Sequence, residues 1–128
     1  MLIMAIGTDR KQSKKLMMLG IPKQTADMHI SWHWDSIVES TKVWELNTGF
    51  PIRDIHIPAW SLDALIELFP CSKDDDTPIF ELTRGGWTPS WTSNWFARFG
   101  GYECDAKTPL DAVVSLIVTL HDNGIKLW

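Results

Sequence analysis

The chain has 128 residues, a length that fits one domain with a real hydrophobic core. Its net charge of −4 argues against general nucleic-acid binding, because phosphates favour a basic surface. Two cysteines are too few for a disulfide framework, and the apolar opening MLIMAIG is too short for a secretory signal or a membrane span. We therefore predict a single domain over residues 1–128 in a reducing cytoplasm.

The first predicted helix covers roughly residues 9–19, with Thr8 as its N-cap and Gly20 after its last turn. It lies in a basic region. Residues 1–23 hold five lysines and arginines against one aspartate, a sum of +4, so residues 24–128 sum to −8. A solvated lysine face explains such a helix, and contact with an acidic partner or with phosphates is the alternative.

A second predicted helix covers residues 61–69 and ends at Pro70. Ser61 is its expected N-cap, and Trp60 and Leu65 have the spacing of a hydrophobic staple. Its apolar side chains recur at helical spacing on one side, at Leu62, Leu65, Ile66 and Phe69. This stripe predicts a helix that packs against the core.

The third predicted helix, residues 109–123, has the clearest signals. Thr108 is its expected N-cap, and Pro109 occupies the first helical position. Ile117 lies on the apolar stripe, whereas Leu116 flanks it. We therefore expect Ile117→Ala to cost about 2–5 kcal/mol. The cost of Leu116→Ala should be smaller unless the helix is buried on more than one side.

The predicted sheet is antiparallel and contains residues 78–84, 94–99 and 102–106. Gly100-Gly101 joins the last two segments as a tight turn, because both glycines accept positive φ. This turn places Arg98 opposite Glu103, and an opposite-charge pair supports that register. With helices 61–69 and 109–123 packed on one face of the sheet, the predicted fold class is α+β with two to three helices.

Other segments give less specific patterns. Residues 43–46 and 53–57 are candidates for further short strands, and residues 29–35 fit either an extended segment or a turn of helix. The three adjacent aspartates in residues 72–77 repel one another and predict a surface loop.

Eight tryptophans against one tyrosine indicate an aromatic core or aromatic groups that meet a partner. We interpret Trp95 as a core residue of strand 94–99. Trp87 and Trp91 lie in a predicted loop that contains Pro89, with Arg84 at its base. Either both tryptophans cover the core, or they bind a flat anionic ligand together with Arg84. We carry Trp87, Trp91 and Arg84 forward as the predicted ligand-binding residues.

His29 and His33 have the spacing of two metal ligands on one helix face. A zinc site needs a third ligand, and the candidates Asp35, His56 and Cys104 are scattered along the chain. Packing of both histidines among neighbouring tryptophans is the simpler interpretation. We predict no metal and no cofactor.

Residues that could carry catalysis lack a recognisable neighbourhood. Cys71 and Cys104 fit positions for small buried side chains, without a nucleophile motif around either. Glu81, Glu103 and Asp105 could form a carboxylate pair across strands, but solvent-facing strand positions explain them more simply. We predict no catalytic residue.

Three segments carry a resemblance: IPKQTADM (residues 21–28), IPAWSLDALIELFP (57–70) and TPLDAVVSLIVTLHDNG (108–124). Together they resemble a group of small uncharacterised accessory proteins from phages and mobile elements of gut bacteria. In that group a G-I-x-x-x-T-A-D-M segment, a P-A-W-S-L-x-A-L-L-E-L-x-P segment and a T-P-L-D-A helix recur in this order. The resemblance implies a mobile-element accessory protein with an α+β fold, and it carries no catalytic residue.

Two functions fit these features. The favoured one is a non-enzymatic accessory protein that counters a host defence by sequestering a nucleotide-type signal or by covering a host protein. The alternative is a small enzyme that acts on a nucleotide or nucleic acid. The expected partner is therefore a host protein or a small nucleotide-like ligand in the host cytoplasm. No membrane is expected, and the acidic net charge disfavours nucleic acid. A homo-oligomer is compatible with the sequence.

Overall fold

The structure, a computed structural model, describes residues 7–34, 42–49, 56–70, 78–85 and 94–128, with the backbone alone at residues 32–34 and 42–45. The described residues belong to two compact units, Gly7–Ser61 and Leu62–Trp128. The single domain over residues 1–128 stays a prediction. The predicted loop 72–77 lies outside the described residues.

The Gly7–Ser61 unit combines one helix with a small antiparallel sheet. Its elements are helix α1 (Arg10–Met18), a short 3-10 helix (Lys23–Thr25), and strands β1 (Met28–Trp34), β2 (Lys42–Thr48) and β3 (Ile57–Ala59). The strand order is β2-β1-β3, and β1 pairs antiparallel with both neighbours. Of the two predicted alternatives for residues 29–35, an extended segment or a turn of helix, the structure has the extended one as far as Trp34.

The N-cap of α1 is Asp9 and not Thr8, which corrects the prediction by one residue. The Asp9 carboxylate accepts a hydrogen bond from the Gln12 backbone N–H at 2.7 Å, and the Gln12 side chain accepts one from the Asp9 N–H at 3.1 Å. This reciprocal pair is a capping box. Thr8 is fully buried instead, where its hydroxyl serves a partner that is distant in sequence.

A buried polar junction joins the start of this unit to its end. The Trp60 backbone N–H donates to Thr8 Oγ1 at 3.0 Å, and the Thr8 N–H donates to the Trp60 carbonyl at 3.0 Å. Thr8 Oγ1 also lies 2.8 Å from Ser13 Oγ, and Trp60 Nε1 donates to Thr25 Oγ1 at 2.9 Å. Each buried polar group thus has a partner, as burial of such groups requires.

Asp27 extends this junction. Its carboxylate accepts a hydrogen bond from the Ser61 backbone N–H at 2.8 Å and a second one from the Ser61 hydroxyl. Between these polar contacts, Ala26 and Ala59 are fully buried, and Met28 pairs with Ala59 in the sheet. The T-A-D-M and P-A-W-S segments that carry the resemblance therefore bond to each other.

The Leu62–Trp128 unit contains the predicted sheet. Its elements are helix α2 (Leu62–Ile66), strands β4 (Glu81–Arg84), β5 (Trp95–Phe99) and β6 (Tyr102–Ala106), and helix α3 (Pro109–Asp122). The strand order is β4-β5-β6, antiparallel throughout. Helix α3 contacts β5 and β6, and α2 contacts α3. The α+β prediction is confirmed, with two three-stranded sheets where one was expected. Within the described residues, no helix is both long and apolar enough to cross a membrane.

The hairpin between β5 and β6 has the predicted turn and register. Gly100 and Gly101 both adopt positive φ, 56° and 86°. Arg98 pairs with Glu103 across the strands, and its Nε lies 2.5 Å from a Glu103 carboxylate oxygen. The Nε–H of Arg98 is not aligned for a hydrogen bond, so the contact is an ion pair by distance alone.

Replacing Gly101 with alanine should cost about 1–2 kcal/mol, because an L side chain at φ 86° is strained. No atom lies within 4 Å of the position that the new Cβ would take, so backbone strain is the whole effect. Gly101→Asn should cost less, since asparagine tolerates this conformation better. Urea unfolding of both variants measures the difference, and equal costs would contradict the assignment to strain.

Helix α3 is buried around most of its circumference. Thr108 caps it by accepting a hydrogen bond from the Asp111 N–H at 3.1 Å, as predicted. Leu116 and Ile117 are both fully buried, although only Ile117 lies on the predicted stripe. The sheet covers one side of α3 and α2 another, which explains why two adjacent residues both lack solvent contact.

Candidate functional site

Arg84 is the predicted ligand-binding residue that the structure describes. It is the last residue of β4 and is exposed. Its cross-strand partner in β5 is Trp95, and its guanidinium carbon lies 6.0 Å from the centre of the Trp95 ring. A guanidinium at this distance from an indole is at the outer limit of cation–π range.

Trp95 is half-buried, which corrects its prediction as a full core residue. Ala97 and Phe99, the next residues on the same strand face, are buried. The face was therefore assigned correctly, but the core ends before Trp95. At this end of the sheet the indole supports Arg84 and does not fill the interior.

The strands β4 and β5 are joined at this end by a backbone hydrogen bond beyond the ladder. The Gly85 N–H donates to the Asn94 carbonyl at 2.9 Å, and Gly85 has a φ of 78°. Gly85 and Asn94 are the described residues on either side of residues 86–93. Trp87 and Trp91 lie in that segment, outside the described residues, and their role stays a prediction.

The charges on this sheet divide between its two faces. Arg98 faces away from Arg84, and it is flanked on neighbouring strands by Glu81 and Glu103. Its charge is thus opposed by carboxylates. For Arg84, no ion pair with a carboxylate is found among the described residues. Its exposed guanidinium can therefore bind an anion from solution.

His29 and His33, whose spacing would suit two metal ligands on a helix face, lie on a strand instead. Four residues along a strand span about 13 Å, too far for two ligands of one ion. His29 instead stacks on His56, with ring centres 4.3 Å apart, and its Nδ1 lies 3.1 Å from the Gly49 carbonyl. In the part of the chain that the structure describes, no group of three or more potential ligands could hold a metal.

The other reactive side chains are placed as the sequence indicated. Glu81, Glu103 and Asp105 are exposed on the sheet, and Asp105 accepts a hydrogen bond from the Asn94 side chain at 2.9 Å. Cys104 is partly buried, with its sulfur 3.3 Å from the Thr119 hydroxyl. Cys71 lies outside the described residues.

Two grooves in the described part of the Leu62–Trp128 unit lie away from Arg84. One, of about 270 Å³, is beside the Gly100-Gly101 turn, at the far end of the sheet from Arg84. The other, of about 260 Å³, is lined by Trp128 and His121, whose rings are parallel. Neither groove includes Arg84, so its guanidinium is presented on an exposed surface.

The polar junction is the main feature that the sequence did not predict. Thr8 and Asp27 each bind a segment that lies at least 34 positions away in the chain. No local spacing identifies such partners. A scan against protein-family models finds no match, and searches of curated proteins and of solved structures find none either.

Proposed function

We propose that this chain is an accessory protein of a phage or mobile element that acts by binding a nucleotide-type ligand and thereby sequesters it. The resemblance of the three segments supports an origin in a phage or mobile element. Their described residues serve caps and the buried junction, as with Asp27 and Ser61, which suits a stable binding scaffold. Counter-defence through removal of a signal molecule requires tight binding and no reaction.

The observation that carries the ligand class is the exposed guanidinium of Arg84, which lies over the Trp95 ring and has no ion pair among the described residues. A nucleotide joins a flat ring to a phosphate, and arginine binds phosphate through two parallel N–H donors. Arg84 is pre-ordered by Trp95 and exposed in a protein of net charge −4. Trp87 and Trp91, which follow closely in sequence, would supply rings on which a base stacks.

Native mass spectrometry of the protein purified from its host tests the proposal directly. We expect a co-purifying small molecule that contains phosphate and a nucleobase, with an unchanged mass after incubation with fresh protein. A changed mass would indicate the alternative, a small enzyme that acts on nucleotides. A stoichiometric co-purifying host protein without a small molecule would contradict the nucleotide proposal and favour the covering of a host protein.

Calorimetric titration with ATP and AMP as probes tests the residues. Arg84→Ala should weaken binding at least about tenfold, equivalent to about 1.4 kcal/mol. Arg84→Lys should recover only part of the loss, because an ammonium lacks the planar fork. Lys126→Ala is the matched control, since Lys126 is exposed on the same unit and distant in sequence. Equal losses for Arg84→Ala and Lys126→Ala would show a general charge effect and contradict the site.

Stability measurements separate a binding role from a core role for the two tryptophans. Trp87→Ala and Trp91→Ala should each change the free energy of unfolding by less than about 1 kcal/mol while binding is lost. Trp95→Ala should lower both stability and affinity, because its half-buried indole also supports Arg84. Losses of about 3–5 kcal/mol for Trp87 or Trp91 would place them in the core and overturn their assignment.

A further inference from the structure

Helix α1 presents a basic face on its exposed side. Of its nine residues only Ser13 and Leu16 are buried. The opposite side, which we call the basic face of α1, consists of exposed residues: Arg10, Lys11, Lys14, Lys15, Met17 and Met18. Met18 is 81% exposed, more than any other large apolar side chain described, and Met17 is 47% exposed. At 100° per residue, Met18 projects between Lys11, Lys14 and Lys15.

Lys11 opposes the stability of the helix that carries it, whereas the helix dipole favours Lys15 in the last turn. Lys11 stands three residues before Lys14 and four before Lys15, so like charges are neighbours on the helix surface. Lys11 also lies in the first turn, where the helix dipole disfavours a cation, and that turn contains no acidic residue. Lys11, Lys14 and Lys15 have no ion pair with any carboxylate in the described residues.

The charge distribution indicates how large an anionic partner of this face can be. Residues 1–23 sum to +4, whereas residues 24–128 sum to −8. The excess of acidic residues in 24–128 disfavours a long, uniform polyanion such as duplex DNA. The face itself is short, because nine helical residues span about 13.5 Å. Screening limits each charge to about 8–10 Å at physiological salt, so a compact anionic segment experiences mainly the basic face.

The two exposed methionines indicate which chemical groups that anionic segment contains. Methionine is enriched in protein–protein interfaces and adapts to irregular apolar surfaces. A phosphate backbone offers Met18 no apolar contact, and a lipid surface would require a wider apolar face. The apolar residue Leu16 of α1 is already buried in the protein. A protein segment with an apolar side chain among carboxylates matches both the methionines and the lysines.

We infer that the basic face of α1 is a docking surface for a short acidic segment of a partner protein, with an apolar side chain of that segment seated against Met18. This surface belongs to the Gly7–Ser61 unit and does not depend on the Arg84 site. The protein therefore carries a ligand surface in one unit and a protein-docking surface in the other.

Fluorescence anisotropy with a labelled peptide of about nine residues, three repeats of Asp-Asp-Leu, tests the inference on the full chain. Lys11→Glu combined with Lys14→Glu should weaken binding at least about tenfold. Lys107→Glu combined with Lys126→Glu is the matched control, two exposed lysines of the other unit, and should leave binding unchanged. Equal weakening by both pairs would overturn the surface in favour of net charge.

Two further arms test the apolar contact and the partner class. Met18→Ser should weaken binding of the Asp-Asp-Leu peptide severalfold and leave a peptide of Asp-Asp-Ser repeats unaffected. Equal effects on both peptides would overturn the role of Met18. Tighter binding of a short DNA duplex, or of vesicles of equal parts phosphatidylserine and phosphatidylcholine, through the same lysines would overturn the protein partner.

The thermal stability of the single variant Lys11→Glu provides an independent measurement. Lys11→Glu removes two like-charge contacts and places an anion in the first helical turn, so its thermal unfolding midpoint should rise while peptide binding falls. A lower midpoint would show that Lys11 stabilises the fold and would contradict its assignment to the docking surface.

Discussion

Trp60→Ala is expected to lower the free energy of unfolding by about 3–5 kcal/mol, the loss typical of a fully buried large aromatic side chain. Trp60 has no solvent exposure, and its indole N–H donates to Thr25 Oγ1 at 2.9 Å. The substitution therefore leaves a cavity and removes a hydrogen-bond donor in the same place. Urea unfolding followed by circular dichroism measures the change.

Trp60→Phe divides that loss into its two parts. Phenylalanine fills most of the cavity but lacks the N–H, so we expect a loss of about 1–2 kcal/mol. In a double-mutant cycle with Thr25→Val, the coupling energy should be about 1 kcal/mol, because the two residues share one bond. Additive losses in the cycle would contradict the bond, and a loss below about 1 kcal/mol for Trp60→Ala would contradict the burial of the indole.

Leu116→Ala and Ile117→Ala should each cost about 2–5 kcal/mol, since both side chains are fully buried in α3. The result expected from the apolar stripe alone was a smaller cost at Leu116. The two burial directions, toward the sheet and toward α2, raise the expected cost of Leu116→Ala to that of Ile117→Ala.

Ser115→Ala is the internal control, because Ser115 is exposed on the same helix and should change stability by less than about 0.5 kcal/mol. Urea unfolding of the three variants gives a direct comparison. A loss at Leu116 far below that at Ile117 would mean that α3 is buried on one side only.

Features set by neighbours in the sequence were predictable. The hairpin register follows from a two-residue glycine turn, because so short a connection leaves one way to pair the strands. The start of α3 follows from Thr108 and Pro109, whose effects act within one helical turn. In both cases the deciding residues lie within a few positions of the element they define.

The sheet of the Gly7–Ser61 unit was not predicted as a sheet, because its signals are not local. β3 has three residues and contains Pro58, which a strand pattern excludes unless the strand lies at an edge. β1 alternates apolar residues with His29, Ser31 and His33, a local strand pattern, but no spacing in the sequence identifies β2 and β3 as its neighbours. Pairing with β2 and β3 decides its conformation.

The candidate site was predictable only in part for a similar reason. Eight residues separate Gly85 from Asn94, so no tight turn sets the register of β4 against β5. The pairing of Arg84 with Trp95 could therefore not be derived from spacing. Trp95 was assigned to the correct face, but where the core ends along a strand depends on the helix that covers it.

The buried junction also determines the order in which the chain can complete its fold during synthesis. Thr8 and Ser13 emerge from the ribosome early, yet the backbone groups that bond Thr8 belong to Trp60, 52 positions later. A nascent chain that stops before Ser61 holds these hydroxyls and the Asp27 carboxylate without their partners. The docking of the first helix must therefore wait for the P-A-W-S segment. Fragments that end ahead of this segment are therefore poor candidates for separate expression, and a split of the chain after Ser61 keeps every bond of the junction in one piece.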